Sequence, residues 1–136
     1  MAGKSDYILL ADDDLEDQSL LKDVLLELDK TKMVESVFDG GAVIDYLNER
    51  SDLDLPCVII LDFKMPVMNA DDVLATLDAN LRYRAIPKVV WSTSNQQQHI
   101  DQCLQKGAKA YFTKPNSFKE LESIATRMLK FCNKEV

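Results

Sequence analysis

Two hydrophobic rhythms alternate along this chain, and no other feature narrows its fold as much. Apolar runs of strand length lie at Tyr7 to Ala11, Met33 to Phe38, Cys57 to Leu61, Lys88 to Trp91 and Ala110 to Thr113. Between them apolar residues recur at helical spacing. Leu20, Leu21, Val24, Leu25 and Leu28 fall on one helical face, and Val43, Ile44 and Leu47 do the same more briefly. Val73, Leu74 and Leu77 follow Asn69, a residue type that caps helix N-termini. Ile100, Cys103 and Leu104 form a stripe that stops at Gly107, a natural C-terminal breaker. The clearest stripe, Phe118, Leu121, Ile124, Ala125, Met128, Leu129 and Cys132, opens with Ser117-Phe118-Lys119-Glu120, a capping-box pattern. Strand and helix thus alternate five times. The order predicts a doubly wound α/β fold: a central five-stranded parallel sheet between two helical layers, joined by right-handed crossovers.

Length and charge set the bounds. The 136 residues fit one domain with a real core, and the last stripe ends close to Val136, so no second domain is expected after it. A net charge of −7 makes the chain a poor direct partner for nucleic acid, which needs clustered Lys and Arg. No apolar stretch is long enough to cross a bilayer, and Met1 to Asp6 carries no signal-peptide core. Cys57, Cys103 and Cys132 match neither a zinc spacing nor a disulfide framework, so they are expected to be small apolar fillers in a reducing cytoplasm.

Chemistry gathers where the strand-like runs end. In an open parallel sheet, ligands bind outside the carboxyl ends of the strands. The runs end in Asp12-Asp13, Asp62, Ser92-Thr93 and Lys114-Pro115. Adjacent carboxylates repel unless a cation is shared, and a hard divalent ion such as Mg2+ suits them. Taken alone, Asp12, Asp13 and Asp14 would read as a solvated loop that starts the next helix, and Asp14 and Glu16 are expected to do just that. An EF-hand reading fails because Asp17 stands where that loop needs glycine.

With the acidic pair beside it, Asp62 becomes the natural nucleophile for a phosphoryl group. Its loss is expected to change folding by roughly one kcal/mol or less, as for a surface charge. Ser92 can hydrogen-bond a phosphoryl oxygen, and Lys114 can reach one as a point charge. Ser94 reads better as a cap of the following helix, and Thr93 fits either role. Lys114-Pro115 is a candidate cis peptide. Tyr111 fits either a core or a partly exposed place. His99 has no partner motif and is expected on the surface.

This ordered set resembles the receiver domain of bacterial two-component response regulators over nearly the whole chain. The resemblance rests on Ile8-Leu9-Leu10-Ala11-Asp12-Asp13, Ile60-Leu61-Asp62-Phe63-Lys64-Met65-Pro66, Val89-Val90-Trp91-Ser92 and Tyr111-Phe112-Thr113-Lys114-Pro115. It implies a flavodoxin-like fold and a cytoplasmic single-domain switch. Asp62 would accept the phosphoryl group from a sensor histidine kinase's phosphohistidine. Asp13, Asp62 and the backbone carbonyl of Lys64 would ligate Mg2+, with Asp12 acting mainly through water. Lys114 would pair with the phosphoryl group, Ser92 would move toward it, and Tyr111 would turn inward. The face made by the fourth helical stripe, the last strand and the last stripe would then change partners. Those partners would be a downstream protein target or a phosphotransfer protein, and a homodimer through the same face is compatible with it.

Three departures from the family pattern stand out. Ala70 occupies a position where the family usually has Gly, which strains the backbone if φ there is positive. Lys64, two residues past the acceptor, sits at a position the family varies. Ser92 replaces the more usual Thr. The Ser92-Thr93-Ser94 run is similar to single-domain regulators found beside phytochrome-type kinases. Two other functions compete. A phosphatase of the haloacid dehalogenase type would use Asp12-Asp13-Asp14 as its nucleophile motif, but Glu16 stands where Thr or Val is usual and Met65-Pro66 would have no role. A non-phosphorylated scaffold would leave the acid, hydroxyl and Lys set without purpose.

Overall fold

The computed structural model describes residues 6–133, so Met1 to Ser5, which carry most of the no-leader reading, lie outside it. The chain runs β1 (Tyr7–Ala11), α1 (Leu15–Leu28), β2 (Met33–Val37), α2 (Gly40–Asn48), a 3-10 turn (Asp52–Asp54), β3 (Val58–Leu61), α3 (Ala70–Asp78), α4 (Leu81–Arg84), β4 (Lys88–Ser92), α5 (Gln97–Gln105), β5 (Ala110–Thr113) and α6 (Phe118–Cys132). The strands form one parallel sheet in the order β2-β1-β3-β4-β5. Each of the five expected strands is present. The one extra helix, α4, is a single turn that Asn80 starts by accepting the Arg82 N–H, too short to leave an apolar stripe.

β1, β3 and β4 are buried along their whole length because helices cover both faces of the sheet. One core layer packs Ile8, Leu10, Ile60 and Trp91 against Leu21 and Leu25 of α1 and Ala125 and Met128 of α6. The other packs Leu9, Ile59, Leu61 and Val90 against Val43, Leu74, Leu77 and Cys103 of α2, α3 and α5. The expected α1 stripe shifts by a fraction of a turn. Leu20 and Leu28 are exposed, while Gln18 is buried and donates its side-chain amide to the carbonyls of Asp12 and Val37. Asp14 caps α1 as expected, accepting the Asp17 N–H at 3.0 Å, and Ser117 caps α6 by accepting the Glu120 N–H at 3.1 Å. Asn69 occupies the N-cap of α3 without a side-chain capping bond. Gly107 ends α5 with φ +112°, a conformation open to it because it lacks Cβ.

Two local expectations are corrected, and the alternative left open at Ala70 is decided. Cys57 and Cys132 are disulfide-bonded with Cα atoms 4.7 Å apart, which ties the entry of β3 to the end of α6. They are buried fillers, but not free thiols, and only Cys103 keeps its thiol among the three. Ala70 does not carry positive φ, because it is the first residue of α3 and donates its N–H to Phe63. The unusual backbone falls instead on Val67, at φ 73°. No cis peptide occurs among the described residues, so Lys114-Pro115 is trans.

Candidate functional site

The strand order reverses between β1 and β3, and the crevice at such a switch point is where a doubly wound sheet binds ligands. Asp12 and Asp13 leave the end of β1 there, and Asp62 leaves the end of β3. The Asp62 N–H donates to the Ala11 carbonyl at 2.9 Å, which holds the two acidic turns side by side. One oxygen from each of Asp12, Asp13 and Asp62 lies within 4.8 Å of the others. Asp12 and Asp62 are buried and Asp13 is exposed. Lys114 arrives from the end of β5 and donates its N–H to the Ser92 carbonyl at 2.7 Å. Its ammonium reaches Asp12 Oδ2 at 3.0 Å, Asp17 Oδ2 at 2.8 Å and Asp62 Oδ2 at 3.5 Å. Asp13, Asp17, Asp62 and Lys114 border a cleft of about 760 Å3 that Lys64, Met65, Pro66, Ser92 and Thr93 also line, while Asp12 is fully buried.

The electrostatics follow from crowding like charges out of water. Burial pushes the Asp62 carboxyl up to about 7; the Lys114 ammonium opposes the rise, and Asp12 and Asp13 add to it. Burial alone would weaken the Lys114 ammonium, but its bonds to Asp17 and Asp12 and the charge of Asp62 outweigh this and hold it above the usual Lys range. A protein that keeps three carboxylates this close has built a place for positive charge. The donors are all hard oxygens, converging on an open cleft, which fits Mg2+ with retained waters.

Ser92 is buried at the end of β4, and its hydroxyl accepts the Ser94 N–H at 3.1 Å. Ser94 in turn accepts the Gln96 N–H on its Oγ at 3.3 Å, a turn within the loop and not the helix cap expected of it, because Gln96 is the N-cap of α5 and no side chain caps that helix. Tyr111 is half-buried and donates its hydroxyl to the Ser94 carbonyl at 2.9 Å. Burial raises the Tyr111 phenol above its ordinary value. Ser92 and Tyr111 therefore hold the same residue of this loop, Ser94, one by its N–H and the other by its carbonyl.

Three side chains were given no such place by the sequence. His99 is not a partnerless surface residue: its Nδ1 lies 2.6 Å from Ser94 Oγ, and its ring stacks on Phe63 with centroids 4.2 Å apart. Trp91 donates its indole N–H to Asp12 Oδ2 at 3.2 Å. Asp17, in the first turn of α1, makes the shortest of the three contacts to Lys114. A sequence signal existed for none of them beyond Asp17 being an acid at a helix start. The Asp-x-Asp phosphatase reading loses its third residue here, because Asp14 is committed to capping α1.

The family model for the response regulator receiver domain matches residues 8–126. The "Probable methanogenesis regulatory protein FilR2" of Methanothrix harundinacea is 32% identical over 117 residues, covering 85% of this chain and 76% of that protein. "Two-component response regulator ARR8" of Arabidopsis thaliana is 27% identical, covering 91% of this chain but only 61% of that protein's length. Among solved structures, the phosphorylated cyanobacterial phytochrome response regulator RcpA superposes with a TM-score of 0.85 at 26% identity, covering 96% of this chain and 95% of that one. The Mn(2+)-bound form of response regulator Rcp1 superposes with a TM-score of 0.78 at 26% identity, covering 96% of each chain. A match over almost the whole sheet, with the acids, the hydroxyl and the Lys at its carboxyl edge, means that this chain belongs to the response regulator receiver domain family.

Proposed function

We propose that this protein is a phosphorylation switch whose acceptor is Asp62. The observation that carries the reading is the convergence of Asp12, Asp13 and Asp62 with the Lys114 ammonium, 3.5 Å from Asp62 Oδ2, at one open edge of the sheet. In the reaction, an Asp62 carboxylate oxygen attacks the phosphorus of a sensor kinase's phosphohistidine. The P–N bond breaks, the imidazole nitrogen keeps the electron pair and takes a proton, and an acyl phosphate forms on Asp62. Hydrolysis of that acyl phosphate resets the switch, with no separate substrate to turn over.

Asp13, Asp62 and the Lys64 carbonyl would hold Mg2+, with Asp12 acting through water. When bound, the ion offsets negative charge on both nucleophile and phosphoryl oxygens. Lys114 offsets further charge as the phosphoryl group arrives. Ser92 gives up the Ser94 N–H and turns its hydroxyl to a phosphoryl oxygen. The loop it shared with Tyr111 then repacks, and the surface of α5, β5 and α6 changes. A downstream protein or phosphotransfer partner reads that surface. The phosphorylated form of RcpA and the Mn(2+)-bound form of Rcp1, both similar to this chain, support this direction.

The test is intact mass after incubation with acetyl phosphate, with and without Mg2+, for the wild type and Asp62→Asn. A single Mg2+-dependent phosphoryl adduct that the variant lacks is expected. An adduct of equal yield on Asp62→Asn would remove Asp62 as the acceptor.

A further inference from the structure

Lys114 is shared unequally among its three acids. Its ammonium has three N–H donors. Asp17 and Asp12 hold it at 2.8 and 3.0 Å, whereas Asp62 lies at 3.5 Å. The side chain of Lys114 is only 9% exposed, so water competes little for these bonds. Asp17 is fixed for the purpose from its own side. Its backbone N–H is bound to Asp14, so the first turn of α1 delivers its carboxylate to Lys114 across the strand ends. A phosphoryl group on Asp62 brings close to two negative charges and three acceptor oxygens. It can recruit Lys114 fully only by drawing the ammonium away from Asp17.

We propose that Asp17 is a positioning residue of this site: it holds Lys114 back from Asp62 in the unphosphorylated protein and competes with the phosphoryl group for it. The inference rests on the acceptor reading of Asp62. Asp17 thereby weakens the phosphorylated state and shortens its life. Asp12 cannot substitute for it, because Asp12 is buried and also tied to the Asp14 and Trp91 N–H groups. Asp17 is one-third exposed and can let go.

Trp91, the one tryptophan of the chain, makes the shift observable, since the Lys114 ammonium lies 5.1 Å from its ring centroid. The experiment titrates beryllium fluoride, a phosphoryl mimic, into wild type, Asp17→Asn and Asp17→Glu with Mg2+ present. Trp91 emission is followed throughout, and thermal melts establish that each variant is folded. Asp17→Asn is expected to change Trp91 emission before any addition and to bind beryllium fluoride roughly threefold to tenfold more tightly, as for loss of one competing charge-assisted bond. Asp17→Glu is expected to return affinity toward the wild type. Wild-type binding with equal or weaker binding by folded Asp17→Asn overturns the role of Asp17 alone. No binding by folded wild type or either variant overturns the acceptor reading and the inference together.

Discussion

The indole N–H of Trp91 donates to Asp12 Oδ2 at 3.2 Å, bridging the ends of β4 and β1 inside the site. Both residues are almost fully buried. Hydrogen bonds to charged groups contribute about 1.5–3 kcal/mol. Trp91→Phe keeps the ring's apolar packing but removes the donor, so it is expected to destabilise the fold by about 2 kcal/mol. Part of that loss belongs to the pair itself. A double-mutant cycle with Asp12→Asn, read by urea unfolding, is expected to give a coupling of roughly 1 kcal/mol. A coupling of zero would leave the contact without energetic meaning.

Asp62 is no surface charge, and the small effect expected from the sequence for its loss is corrected accordingly. It is 7% exposed and faces two other carboxylates. Its carboxyl rises from 3.8 to about 7 on folding, chiefly through burial. The sign follows from proton counting. Below about pH 4 the carboxyl is protonated in both states and there is no penalty; the unfolded chain then releases its proton first, so stability falls until about pH 7. Asp62→Asn is therefore expected to raise the stability of chelator-treated protein at and above pH 7, by on the order of 2 kcal/mol. The gain should vanish near pH 4, and Mg2+ should stabilise the wild type more than the variant. Melts across this pH range, in chelator and in Mg2+, decide the matter.

The fold was legible because burial on both faces writes the inner strands β1, β3 and β4 as nearly unbroken apolar runs, while the edge strands β2 and β5 are less buried and read more weakly. Asp12, Asp62, Ser92 and Lys114 were legible as a group for the same reason: each stands where such a run stops. Trp91 and Asp17 were not, because their roles come from partners 79 and 97 residues away. Trp91 read only as the end of a core strand, and Asp17 only as an acid in a first turn. His99 gained its partners through the fold of the loop after β4, which periodicity does not encode. The disulfide is hidden in the same way, since its cysteines are separated by 75 residues and form no recognisable spacing.

Val67 sits in the loop between Asp62 and α3 with φ 73°, in a region that a β-branched side chain occupies at a cost of about 1–2 kcal/mol. Its side chain is 80% exposed, so little packing is lost on removing it. Glycine adopts this backbone freely but loses more entropy on folding. The balance favours Val67→Gly by about 0.5–1 kcal/mol. Val67→Ile, which keeps the branch, is expected to be neutral or worse. Equal denaturation midpoints for Val67→Gly and wild type would mean that the loop relaxes the strain in solution.

The Cys57–Cys132 bond closes a long loop and holds the C-terminal turn of α6 against the entry of β3. Both cysteines are buried, so reduction removes a constraint on the unfolded chain without exposing new surface in the folded one. A disulfide closing a loop of this size typically contributes about 2–4 kcal/mol. Reduction, or the Cys57→Ala and Cys132→Ala double variant, is expected to lower stability by that order. Phosphorylation should proceed in either form, because the bond lies at the opposite end of β3 from Asp62, the proposed acceptor. A thiol count on denatured, unreduced protein checks the bond directly. One reactive thiol, Cys103, is expected before reduction and three after it. Three thiols before reduction, with a melt that reductant leaves unchanged, would mean that the two cysteines pack in contact as thiols and contribute only their apolar burial.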